Sequence, residues 1–264
     1  MTEQTIFSMS EGLIFLILLA LQIIWIEAGV RIGRHVRSKV DEPSKSPVSA
    51  LQAAAMGLLA LLLAFTFSMA AQRYEVRRDL VVEEANAIGT TWLRAQMIPD
   101  PFKAETSDLL RRYVDNRLEF HEAGIDQERL RRVYDEAAQF HKKLWDQAAA
   151  VVKTDIRPIT TSLFIQSLNQ VIDLSATRVA AMLNRIPMSI GFLLVFVSVM
   201  TLGLTGYSCG LGGRRHFVPT TIAALLITAT IVLIIDLHRP TRGLIEVSQQ
   251  SMMDLRDSLN KPVP

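Results

Sequence analysis

Four unbroken apolar runs constrain this chain more than any other feature, because each has a length suited to a lipid interior. They are Leu13 to Ala28, Ala53 to Ala71, Pro187 to Leu204 and Val218 to Leu237. A helix rises about 1.5 Å per residue, so about 20 apolar residues cross a hydrocarbon core roughly 30 Å thick. Lipid offers no hydrogen bonds to the backbone, so runs of this kind must bond internally, as helices. Half of the 264 residues are apolar and only 20% are charged, against about 25% charged in ordinary soluble domains. The charge is gathered between the second and third runs. A net charge of +2 gives no electrostatic footprint for nucleic acid.

The segment before the first run carries Glu3 and Glu11 and no Lys or Arg, whereas Arg31, Arg34 and Arg37 follow it. A secretory signal has the opposite polarity, so the first run is expected to be an uncleaved anchor. Glu27 lies four residues before Arg31, the spacing of a helical ion pair. Gly210, Gly212 and Gly213 are expected to break the chain between the last two runs, giving a helical hairpin whose turn holds Arg214 and Arg215. Positive short loops stay in the cytoplasm. Residues 31–48, with Arg31, Arg34, Arg37, Lys39 and Lys45, and the Arg214–Arg215 turn are therefore expected inside. That places both termini and the large insert in the periplasm of a bacterial inner membrane. Arg73, Arg77, Arg78, Arg178, Arg185, Arg239 and Arg242 count on the other side.

Four divisions are expected: a span pair in 1–71, an extramembrane domain in 72–185, a second span pair in 186–238 and a tail in 239–264. Within 72–185 the apolar period is helical. Val81, Ala85, Ile88, Trp92 and Ala95 recur at alternating steps of four and three, forming a seam along one helix face. No proline interrupts Leu51 to Ile98, so the second span is expected to run into this helix as one rod. Pro99 should stop it, and Asp100-Pro101 should restart the chain as N-cap and first-turn proline. The next helix shows Leu110, Val114 and Leu118 and should end near Gly124. A further stripe joins Leu130, Val133, Tyr134, Ala137, Ala138, Leu144, Trp145 and Ala148; a last helix begins near Pro158 and aligns Phe164, Leu168 and Val171. The fold class is all-α: a four-span transmembrane helical protein with a helical-bundle insert between spans two and three.

Chemistry-bearing motifs are few. Cys209 is the single cysteine, and it excludes an internal disulfide. The histidines His35, His121, His141, His216 and His238 show no ligand spacing, and no P-loop, GxGxxG or GxSxG occurs. No metal, cofactor or catalytic residue is expected. Binding candidates lie elsewhere. Gly57, Ala60, Ala64 and Ser68 share one sector of span two, flanked by Phe65 and Gln72. Small residues let helices approach closely in lipid; in a ring of copies the same face would line a narrow pore, with Phe65 as an apolar constriction. Beyond the span come Arg77, Glu83 and Glu84. Such charges are ordinarily a solvated face of weak ion pairs, and the functional alternative is an ion-collecting vestibule. Glu84 differs in sitting beside the Val81–Ala85–Ile88 seam. Asp236, at the end of span four, is costly at membrane depth and is expected to pair with Arg239 or a basic group on another helix.

The stretch LLLAFTFSMAAQRYEVRRDLVVEEANAIGTTWLRAQMIPDP, with YVDNRL after it and DLHRPTRGLIEVSQQ near the end, resembles the bacterial bestrophin-like domain family. The resemblance runs from the first span to the tail. It implies kinship with bestrophins, which are pentameric chloride channels whose second span lines an apolar neck, and hence a homo-oligomer that passes ions. It also implies an insert in the cytosol, opposite to the side that the loop charges indicate. Two functions follow as expectations: an oligomeric ion (anion) channel lined by span two, or a membrane-anchored sensor or scaffold whose helical domain binds a partner. An enzyme is the least supported class.

Overall fold

The computed structural model describes residues 10–39, 42–124, 126–154, 158–184, 187–239 and 245–261. Glu3, Arg185, Arg242 and the Pro240, Gly243 and Leu244 portion of the C-terminal stretch lie outside the described residues. All regular structure among the described residues is helical. The helices are α1 (Glu11–Val36), followed by a 3-10 turn (Arg37–Lys39), α2 (Glu42–Ala95), α3 (Phe102–Glu122), α4 (Gln127–Thr154), α5 (Pro158–Leu183), α6 (Met188–Gly212), α7 (Phe217–Leu237) and α8 (Gln250–Leu259). Four of these, α1, α2, α6 and α7, are long and apolar enough to span a bilayer. They contain the four apolar runs of the sequence. Span two and the seam after it form one helix of 54 residues, about 80 Å of rod.

The chain divides into two compact units, residues 1–72 with 185–239, and residues 73–184 with 240–264. The tail thus belongs to the same unit as the helical insert.

In the membrane unit, α1 packs chiefly on α6 and also on α7. Glycines make the α1–α6 contact possible. A Cβ on Gly29 would overlap the Gly203 carbonyl and come 2.8 Å from the Tyr207 nitrogen; one on Gly206 would overlap the Ile26 carbonyl. Gly33 and Gly210 are equally confined, each with the other's Cα within about 3.0 Å of its added carbon. Gly29/Gly33 and Gly206/Gly210 are both four-residue repeats of the kind that brings spans into backbone contact. Gly210 is therefore a packing residue inside α6 and not a chain breaker. The helix ends instead at Gly213, which adopts a φ of 71° that other residues avoid. Buried polar groups add a second tie. Gln22 of α1 accepts a hydrogen bond from Thr228 Oγ1 of α7 at 2.8 Å and donates to Ser198 Oγ of α6 at 3.5 Å. Glu27 pairs with Arg31 (3.5 Å), as its spacing predicts, and more closely with Arg215 (2.7 Å).

The helical unit is built from the second half of α2 with α3, α4, α5 and α8. Every residue of the predicted seam is buried: Val81, Ala85, Ile88, Trp92 and Ala95. Leu110 and Val114 of α3, Leu144 of α4, Phe164 and Leu168 of α5 and Met252 of α8 belong to the buried core. α2 ends at Ala95, and α3 begins at Phe102 with Pro101 as its N-cap residue. Gly124 has the left-handed φ of 60° that a residue following a helix end requires. Asp126 starts α4 by accepting hydrogen bonds from the backbone of Glu128 and Arg129, both at 3.1 Å. The α4 stripe is narrower than its apolar sequence suggests. Val133, Ala137, Leu144 and Ala148 are buried, whereas Tyr134 is 50% and Trp145 42% exposed. The core occupies only part of the apolar arc.

Candidate functional site

One cluster in the helical unit combines burial with charge. Glu84, at the edge of the α2 seam, is fully buried between two arginines. Arg117 of α3 donates from Nε to Glu84 Oε1 at 2.8 Å and from Nη2 to Oε2 at 3.4 Å. Arg178 of α5 donates from Nη1 to Oε2 at 2.6 Å, and its Nη2 reaches Gln249 Oε1, just before α8, at 2.6 Å. A single carboxylate thus joins α2, α3 and α5, with the tail attached through Arg178. The cluster has two guanidiniums against one carboxylate. Part of the surplus is met by rings, since Arg117 Cζ lies 4.6 Å from the centroid of Phe120 and 6.0 Å from that of Tyr113. Among the described residues, Arg117 Nη1 is buried with no hydrogen-bond acceptor.

Tyr113 extends the cluster towards α4. Its hydroxyl is 2.9 Å from His141 Nε2 and 3.5 Å from Glu84 Oε1. Burial pushes the Tyr113 hydroxyl above its ordinary value, so the phenol stays protonated. Burial, with Arg117 adding to it, holds His141 down to about 4, so its imidazole is neutral at pH 7. Burial also lowers Arg178 from its ordinary value, against the attraction of Glu84.

The other sequence candidates fall in separate places. Arg77 is buried and donates from Nε to the Ala181 carbonyl at 3.3 Å and from Nη2 to that of Asn184 at 3.5 Å. Glu83 is exposed, outside the cluster. Asp236 and Arg239 are buried in the membrane unit. The Arg239 backbone N–H donates to the Asp236 carbonyl at 2.9 Å, and its guanidinium lies 3.9 Å from Glu11. Gly57, Ala60, Ala64, Phe65, Ser68 and Gln72 are all exposed on α2, while Leu59, Thr66 and Ala70 on the opposite side of the helix are buried. Phe65 is 62% exposed.

Sequence reasoning singled out Glu84 but missed both partners. Arg117 had a legible signal: it continues the Leu110, Tyr113, Val114 spacing, so it stands on the apolar face of its own helix. His141 and Gln249 carry no comparable signal. Among the described residues there is no group of His, Cys, Asp and Glu side chains able to hold a metal.

The bestrophin-like domain matches residues 14–252. The chain belongs to the bestrophin-like domain family. No curated protein matches it in sequence. Solved structures of a bacterial bestrophin homologue from Klebsiella pneumoniae share its fold. One variant superimposes with a TM-score of 0.70 at 14% identity, covering 94% of this chain and 99% of that one. Another has a TM-score of 0.67 at 15% identity, covering 93% and 97%, and a third has 0.66 at 16% identity, covering 95% and 97%. At these identities the likeness is one of fold.

Proposed function

We propose that this bestrophin-like protein is an oligomeric ion channel, passing anions as bestrophins do, in which α2 from several copies surrounds the conduction path. The observation that carries this reading is the open face of α2. Gly57, Ala60, Ala64 and Ser68 are small enough for close helix packing, yet within the chain the packing side is Leu59, Thr66 and Ala70. A small-residue face left uncovered on an apolar helix suits an axis formed by neighbouring copies. Phe65 flanks it as a ring able to dewet the path, and Gln72 follows where the apolar run ends. In this reading Glu84 and Arg77 act behind the path, by holding α2, and Glu83 faces water. A ring of five copies agrees with the bestrophin kinship.

Purified protein reconstituted in planar bilayers should carry current, and Ala64→Trp should reduce it severalfold while the protein remains a ring by mass in detergent. Silence of the wild-type ring across pH, calcium and anion series would overturn the reading. A membrane-anchored scaffold is the second reading, favoured by the exposed Tyr134 and Trp145 on α4. It predicts a monomer or dimer, and the detergent mass separates the two.

The loop charges further support an inner-membrane protein with its termini and helical unit in the periplasm. In a Cys209→Ser background, Gln4→Cys and Asp135→Cys should then react with an impermeant maleimide in spheroplasts, and Ser38→Cys should not. The reverse pattern would put the helical unit in the cytosol and leave the channel reading intact.

A further inference from the structure

At one end of the membrane unit, α1, the end of α6 and the start of α7 form a groove. Ile23, Ile26 and Val30 of α1 and Phe217 of α7 give it an apolar wall, and Cys209 of α6 also lines it. The remaining lining is polar, with Arg215 and His216 from the α6–α7 turn and Thr221 from α7. Arg215 is held from two sides. Its Nη2 is 2.7 Å from Glu27 Oε2, and its Cζ lies 5.2 Å from the centroid of the Phe217 ring. A guanidinium has five N–H donors in a fixed fork, and Glu27 is the only carboxylate that meets this one among the described residues.

The charge around the groove is one-sided. Arg31 shares Glu27 with Arg215. Arg34, Arg37 and Arg214 are exposed and meet no carboxylate among the described residues. Arg37 reaches the same turn, since a Cβ on Gly213 would collide with its guanidinium. At this end of the spans these arginines face a single acid.

We propose that the groove binds an anionic phospholipid, with the upper part of an acyl chain along the apolar wall and the phosphate at Arg215 and its arginine neighbours. The two halves of the lining match the two halves of such a molecule. A free phosphate would use the guanidinium but leave Ile23 and Phe217, which are 38% and 56% exposed, against a polar ion. A neutral lipid would cover the wall and leave the arginine excess uncompensated. Basic pockets between spans recognise acidic headgroups, and a guanidinium meets a phosphate through two parallel hydrogen bonds. From Ile23 to Val30 the wall follows about 10 Å of α1, enough for the first part of a chain. Glu27 is a positioning residue, which removes one charge from the site and fixes Arg215 beside Phe217. The site is independent of whether the protein conducts ions and of which side of the membrane the turn faces.

Cys209 is the only cysteine of the chain and lies in the groove, so its alkylation by N-ethylmaleimide reports occupancy in the full-length wild-type protein. In neutral detergent, phosphatidylglycerol should slow alkylation severalfold and saturate at a few lipids per chain. Phosphatidylcholine and inorganic phosphate should not slow it. Arg214→Gln, which breaks no ion pair, should weaken the protection about fivefold, the effect of one arginine near an acidic headgroup. Thr221→Trp fills the groove and keeps every charge; it should lose the phosphatidylglycerol that native mass spectrometry finds on wild type. Equal protection by phosphatidylcholine, or by phosphate alone, would overturn the proposal. So would protection that rises with micelle charge without saturating, or a Thr221→Trp protein that keeps its lipid. Where that variant does not fold, the wild-type comparison of the three ligands decides.

Discussion

The two units of this protein solve the same problem, holding helices together, with opposite chemistry. In the membrane unit α1 and α6 meet through Gly29, Gly33, Gly206 and Gly210, and a buried neutral set, Gln22 with Ser198 and Thr228, ties α1 to α6 and α7. In the helical unit, large side chains such as Tyr113, Phe164 and Leu168 fill the core, and a carboxylate with two guanidiniums is buried among them. The solvent explains the contrast. Lipid gives apolar side chains no reason to leave it, so spans associate by close backbone approach and modest hydrogen bonds. Water drives large apolar groups inward, and the buried area can then support a buried ion cluster.

Five substitutions would break or sharpen this comparison. The largest effect is expected from Glu84→Leu, which strands Arg117 and Arg178 without their carboxylate. Loss of one partner from a buried charge cluster costs about 3–5 kcal/mol, enough for chemical denaturation of the helical unit to shift far towards lower denaturant. An effect below about 1 kcal/mol would mean that the arginines find water, and that the cluster is less sealed than its geometry indicates. Next is Met252→Ala, in the core position of the tail helix. Emptying such a site costs about 2–4 kcal/mol, and proteolysis between residues 240 and 261 should accelerate if α8 is held by that contact.

Gly206→Ala tests the other unit. The added carbon meets backbone rather than a movable side chain, so α1 and α6 must separate. About 1–3 kcal/mol of overpacking strain is expected, read as lower thermal stability in detergent, with no change in the helical-unit exchange pattern. The same substitution at Gly57, whose added carbon meets nothing within 4 Å, should leave the single chain unaffected. Thr228→Val is the smallest. It removes the 2.8 Å bond to Gln22, and hydrogen bonds between spans are worth about 0.6 kcal/mol. A loss several times greater would show that Gln22 behaves as a buried polar group in a dry core, like those of the helical unit.

What was legible in the residues follows from one-dimensional rules. Span length is set by bilayer thickness, so the four runs are visible as runs. The Val81–Ala95 seam is visible because a helix repeats every 3.6 residues, and all five residues are buried. Gly124 is visible because few other residues adopt a positive φ. Tyr134 and Trp145 mark the limit of this reasoning: they lie on an apolar stripe but face outward, since periodicity gives the direction of a face and not the width that neighbours cover.

The helical class, the four spans and the division between greasy ends and a polar middle were thus determined by the order of residues alone, because each depends on solvent and on local backbone geometry. The tertiary structure decided which charges meet. Glu84 finds Arg117, Arg178 and, through Tyr113, His141 across separations of 29 to 94 residues. It also turned Gly210 from a chain breaker into a contact. Such pairings depend on how helices cross, and crossing is fixed by side-chain shape in three dimensions, which no pattern along the chain records.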